Sequence, residues 1–315
     1  MPGLGLLIPI VLLAGLFFWF RASRGEVPAD GPQHGRISLL MEAIAYVGAV
    51  LMLAGAVAAM AQKWDDLAEG VAFALLAGSA VLFLGIGFVT RRSAEPAFGR
   101  LTSVVWLIST AAVAGALAEL MVSIVEAPDE TAFLVVATAT ATWAGALYAI
   151  HRMVLQHLAL YAGIVVTALA VIQRIDPGSP TWVGAVVALA IGLGWVMLGE
   201  RRLVPPWWVA IPVGMLTALI APSAIQEDSF DAMFVVGIAT AAGLMAFSVR
   251  GRFVPGLALA SFGLFAYVTG AVVHYFGDTL GVPAALAVTG GVILLIAAVS
   301  SRLARFTRTP HPKAS

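Results

Sequence analysis

The feature that most restricts this chain is a repeated alternation of long apolar runs with short polar joints. Eleven such runs occur, at about 3–20, 37–61, 68–90, 101–125, 131–150, 156–173, 182–199, 207–225, 231–249, 253–275 and 280–300. A helix needs roughly 17 to 25 apolar residues to cross about 30 Å of hydrocarbon, so each run is long enough for one crossing. Backbone polar groups in lipid have to be satisfied within the segment, and runs this long and uniformly apolar do not read as barrel strands. The reading is therefore all-α: a polytopic membrane protein of about eleven transmembrane helices. Composition agrees, with 61% hydrophobic and only 11% charged residues, where a soluble domain carries about 25% charged.

The joints alternate in charge. Loop 21–36 holds Arg21, Arg24 and Arg36, and loop 91–100 holds Arg91, Arg92 and Arg100. Arg152, Arg201, Arg202, Arg250, Arg252, Arg302, Arg305, Arg308 and Lys313 continue the basic side. The intervening turns carry Asp65, Asp66 and Glu69, then Glu126, Asp129 and Glu130, then Glu227, Asp228 and Asp231, then Asp278. Of the 17 basic residues, only Lys63 and Arg174 fall on the acidic side. The positive-inside rule makes the basic side cytoplasmic, with the N-terminus outside and the C-terminus inside. The first run has arginines after it and none before, as in an uncleaved span and not a signal peptide.

The basic joints also recur at a fixed interval. "RMVLQ" begins at Arg152, "RLVPP" at Arg202, "RFVPG" at Arg252 and "RLARF" at Arg302, 50 residues apart each time. This predicts tandem α-hairpins, each made of a basic residue, an outward helix, an acidic turn and an inward helix. The expected organisation is one transmembrane domain over 1–303. It comprises a first span and loop (1–36), two hairpins (37–151), three 50-residue hairpin repeats (152–301) and a polar tail at 304–315. Gly184, Ala188 and Gly192 form a small-residue groove, and Gly256, Gly263, Gly270 and Gly277 lie nearly on one helix face. Both patterns predict close helix packing.

The chemistry-bearing residues are sparse. There are no cysteines, which excludes disulfides, thiolate zinc sites and a cysteine nucleophile. Net charge is zero, so no basic face for nucleic acid is expected. No phosphate-binding glycine loop, "HExxH" or "GxSxG" is present. His151 and His157, six apart, fall on different helix faces and do not read as a metal pair. These features predict no enzyme activity, no catalytic or metal-ligating residues and no cofactor. What stands out is two acids inside apolar runs, Glu42 and Glu119. Tyr46 lies one turn from Glu42, and Glu119 shares its face with Ala112, Gly115, Ala116 and Ser123. Intramembrane acids mark proton, cation and solute paths disproportionately, so Glu42, Tyr46 and Glu119 form the candidate intramembrane polar site. Packing groups bonded to nearby hydroxyls or carbonyls are the alternative for both acids. Thr138, Thr140 and Thr142 add hydroxyls that can bond back to their own helix.

Residues 37 to about 120 resemble a bacterial family of predicted multi-pass membrane proteins known only as a domain of unknown function. The matching stretches are "MEAIAYVGAVLMLAGAVAAMAQKWDDL" and "AEPAFGRLTSVVWLISTAAVAGALAEL". The resemblance implies residence in a bacterial cytoplasmic (inner) membrane and carries no activity and no catalytic residue with it. Two expectations about function follow. One is a transporter or permease-like protein for a small solute, ion or lipid-linked molecule. The other is a non-catalytic scaffold or assembly component of the envelope. The expected partners are the lipid bilayer and, for the scaffold, other membrane proteins or further copies of the chain.

Overall fold

The computed structural model describes residues 67–92, 96–227 and 229–276, with positions 287, 290 and 291. The chain divides into two compact units, Met1–Leu67 and Ala68–Ser315, and apart from Leu67 the described residues belong to the second. The expected spans at 3–20 and 37–61, the span at 280–300 apart from positions 287, 290 and 291, the tail, Glu42, Tyr46 and Arg302 lie outside the described residues.

The described residues form eight helices long and apolar enough to cross a membrane, and no strands. They are α1 (Glu69–Thr90), α2 (Pro96–Glu119), α3 (Asp129–Ile150), α4 (Val154–Ile175), α5 (Thr181–Glu200), α6 (Trp207–Ile220), α7 (Phe230–Arg250) and α8 (Val254–Phe276). Each falls on one of the apolar runs read from the sequence, and together they are compatible with an integral, multi-pass membrane protein. Their limits follow from local chemistry. Pro128, Pro180 and Pro206 stand immediately before α3, α5 and α6. Proline suits such entries because it lacks an N–H and cannot continue a preceding helix. Ser229 caps α7 by accepting from the Ala232 amide at 3.3 Å.

Packing pairs the helices in a different phase from the sequence reading. The most extensive contacts join α1 with α2, α3 with α4 and α5 with α6. Each of those pairs is closed by a basic turn, whereas pairs closed by acidic turns touch less. The expected hairpin, an outward helix followed by an inward one, is therefore shifted by one helix. Small residues account for the choice. A Cβ on Gly163 of α4 would lie 2.8 Å from the Ala141 Cα of α3, and one on Gly192 of α5 would lie 2.7 Å from the Gly214 carbonyl oxygen of α6. Only glycine permits such backbone approach. The α8 glycines also pack: Gly263 meets Leu219 and Gly270 meets Phe234.

Two basic turns share one geometry. At the end of α5, Leu203 N–H donates to the Leu198 carbonyl and Arg202 N–H to the Gly199 carbonyl. Fifty residues on, Phe253 N–H donates to Ser248 and Arg252 N–H to Val249. These are Schellman caps, with Arg202 (φ 56°) and Arg252 (φ 52°) in the left-handed position that glycine usually takes. The turn at Arg152 is built otherwise: α3 ends at an extended His151 (φ −144°).

Helix α6 is the centre of the bundle. Its span is 56% buried, against 17–33% for the other described spans. It is also the shortest helix, contains Pro212, and passes at Ala221 into a 3₁₀ segment, Ala221–Glu227. Val196, Ile211, Met215, Leu219 and Leu244 form the cluster around it. The Tyr267 hydroxyl of α8 donates to the Leu219 carbonyl at 2.6 Å, which occupies an acceptor near the helix end.

Candidate intramembrane polar sites

Glu119 is the final residue of α2 and is half-buried. One π turn, Leu120–Ile124, follows it directly, closed by the Val125 N–H donating to the Leu120 carbonyl. Single π turns inside helices frequently occur at functional sites. Below Glu119, Ala112 and Ala116 are buried and Gly115 lies against Leu76 of α1. The small-residue face thus makes a close helix contact. Glu119 makes no hydrogen bond or ion pair with another described residue. Its companions in the expected site, Glu42 and Tyr46, lie outside the described residues, so the structure does not bring the three together.

The most complete polar network lies elsewhere, at the basic ends of α3 to α6, around His157. This side chain is fully buried. The Trp195 indole N–H of α5 donates to His157 Nε2 at 2.9 Å. An indole can only donate, so Nε2 carries the lone pair and the proton sits on Nδ1. Nδ1–H then donates to the Pro205 carbonyl at 3.2 Å. The Tyr148 hydroxyl of α3 donates to the same carbonyl. Tyr148 and Trp195 flank the imidazole edge-on, with ring centroids 5.7 and 5.6 Å away. His157 is therefore a neutral imidazole with both nitrogens committed, and its network ties α3, α4 and α5 to the turn before α6. Beside it, Gln156 Nε2 donates to the Ser103 carbonyl of α2 at 2.8 Å, and His151 Nε2 lies 3.3 Å from the Gly99 carbonyl.

The α1–α2 pair has the same character. Trp106 is fully buried over Gly87, and its indole donates to the Leu84 carbonyl at 3.3 Å. Ser109 Oγ donates to the Ala80 carbonyl at 2.9 Å, and Thr90 and Thr102 join hydroxyls at 2.8 Å. Sequence reasoning weighed His151 and His157 only as a metal pair and passed over the other groups. The available signal was Gln156-His157 placed at the start of an apolar helix.

The middle of the α3–α4 pair is different. Thr142 and Thr110 bond back to carbonyls four residues earlier, at 2.8 and 2.9 Å, as helix threonines commonly do. The buried hydroxyls of Thr140 and Thr167 do not, and no partner takes them up among the described residues. Gln156 Oε1 and the Trp143 indole N–H are likewise buried without a partner among the described residues. At the acidic end, a cleft of about 320 Å³ opens between α3 and α4, lined by Asp129, Glu130, Phe133, Gln173 and Pro177. Among the described residues there is no group of three or more His, Asp or Glu side chains able to hold a metal ion.

Searches against protein-family models, curated proteins and solved structures found no match to this chain.

Proposed function

We propose that this chain moves a small solute or ion across a bacterial cytoplasmic membrane, without catalysing a covalent reaction. The observation that supports the reading best is Glu119. It is an ionisable side chain in an apolar span, half-buried, unbonded to any described residue and set at an α-to-π transition. An acid held there without a partner among the described residues is available to a proton or cation passing along the protein interior. The positive-inside pattern supports a cytoplasmic basic end, which reporter fusions after Arg92, Arg202, Glu130 and Asp228 would test by activity on alternating sides.

Metabolite and lipid profiling of a deletion strain would identify the solute whose level shifts. A chromosomal Glu119→Gln variant keeps shape and hydrogen-bonding capacity. On this reading it reproduces the deletion profile while the protein remains at normal abundance in the membrane. A wild-type profile from that variant would overturn the role of Glu119.

The scaffold reading has one observation in its favour: the α5–α6 crossing is backbone-tight at Gly192 and Gly214. It predicts an unchanged profile for Glu119→Gln and a loss of crosslinked membrane partners when the protein is deleted.

A further inference from the structure

We propose that the meeting of α2, α3 and α4 is a binding path for small uncharged molecules that both donate and accept hydrogen bonds, such as water, short polyols and simple amides. The proposal rests on the transport reading and names the class of solute.

The polar atoms there are arranged along the helices, not scattered. Gln156, Gly163 and Thr167 are spaced seven and four apart, which places them on one face of α4. Gly163 packs against the Ala141 backbone, so that face is turned toward α3. The same contact sets the register of the antiparallel pair: Thr167 lies level with Ala137 and Thr140 with Ile164. At about 1.5 Å per residue, Thr140 and Thr167 are separated by roughly 4.5 Å in height. Gln156 donates to α2 at the basic end. The open cleft bounded by Phe133 and Gln173 stands at the opposite end of the same pair.

Unpartnered buried polar atoms thus occur at successive levels from the basic end of the pair toward the cleft. Gln156 is only 2% exposed. Its orientation is fixed, because turning the amide over would set its oxygen against the Ser103 carbonyl. Oε1 is therefore an acceptor facing away from the one protein partner its side chain has. The Thr140 and Thr167 hydroxyls can each donate and accept. A buried polar atom left unpaired costs stability, so a series of them is explained by a guest that pairs with them.

The absence of charge gives the class. Between Arg100 and Glu119 in α2, Glu130 and Arg152 in α3, and Arg152 and Arg174 in α4, no Asp, Glu, Lys or Arg occurs. Of the histidines there, His157 has both nitrogens committed, and His151 is held at the Gly99 carbonyl at the very end. An ion between these helices would have no counter-charge at that depth, whereas a neutral donor–acceptor molecule needs none.

The test is flux into proteoliposomes holding the purified full chain. Glycerol and urea serve as neutral probes, and sodium ions and protons as charged ones. Wild-type vesicles should pass glycerol or urea well above protein-free vesicles. The Thr140→Val/Thr167→Val pair should lower that flux by about tenfold, as expected for losing one or two hydrogen bonds to the solute. Thr140→Ser/Thr167→Ser should restore it, and both variants should melt at the wild-type temperature. Cation flux alone, abolished by Glu119→Gln and untouched by the threonine variants, would leave the transport reading standing and overturn this one. Flux of no probe above protein-free vesicles would overturn both.

Discussion

The hydrogen-bond network of His157 and the threonines in the middle of the α3–α4 pair sit in the same two helices and treat polar atoms in opposite ways. Around His157, the donor of Trp195, both imidazole nitrogens and the Tyr148 hydroxyl are all matched, and the Pro205 carbonyl serves two donors. Two to three turns further in, the hydroxyls of Thr140 and Thr167 are buried and unmatched among the described residues, although the Thr142 hydroxyl on the helix of Thr140 is matched by its own backbone. A threonine in a helix has a carbonyl within reach, so an unbonded hydroxyl reflects an available acceptor not taken. The contrast teaches that polarity in this bundle has two uses. At the basic end it fixes helices relative to one another. In the middle of α3 and α4 it adds nothing to that.

The comparison breaks most sharply at His157. His157→Leu orphans the Trp195 donor and removes a donor from Pro205, and it should cost about 3 kcal/mol of unfolding free energy. His157→Gln, which can accept from one side and donate to the other, should cost about half as much. Reversible unfolding in mixed micelles checks both, and equal losses would show that packing, not hydrogen bonding, sets the value. Ser109→Ala removes one buried bond to the Ala80 carbonyl and should cost about 1 kcal/mol in the same assay. Arg252→Gly relieves a left-handed residue that is not glycine, and should stabilise the protein by about 1 kcal/mol. Thr140→Val and Thr167→Val sit at the small end. Each should change stability by less than about 0.5 kcal/mol, because neither hydroxyl has a protein bond to lose. A loss above about 1 kcal/mol at either threonine would erase the distinction between the two regions.

The eight described helices were legible in the sequence because lipid leaves a 20-residue apolar run one structure to adopt, and because prolines and charges mark where the runs stop. The packing role of Gly192, Gly263 and Gly270 was legible for a similar reason: a side chain of no volume on a helix face admits a neighbour. The pairing of helices was not, since hairpins closed at basic and at acidic turns have the same charge alternation, and the choice depends on backbone approach such as Gly192 to Gly214. Nor was the His157 network. Its partners are an indole 38 residues away and a backbone carbonyl 48 away, and a carbonyl leaves no trace in the residue sequence. Glu119 was legible as an acid out of place, but the π turn that follows it was not, because "LMVSI" differs in no obvious way from an ordinary helical turn.

The most direct measurement is a structure of the protein in lipid that shows ordered small molecules at the α3–α4 pair. The account predicts density about 2.7–3.0 Å from Thr140 Oγ1, Thr167 Oγ1 and Gln156 Oε1, occupying the bonds the protein leaves open. If the two threonines are instead rotated to donate to the Val136 and Gly163 carbonyls, with nothing bound beside them, the polar path does not exist and the account is contradicted.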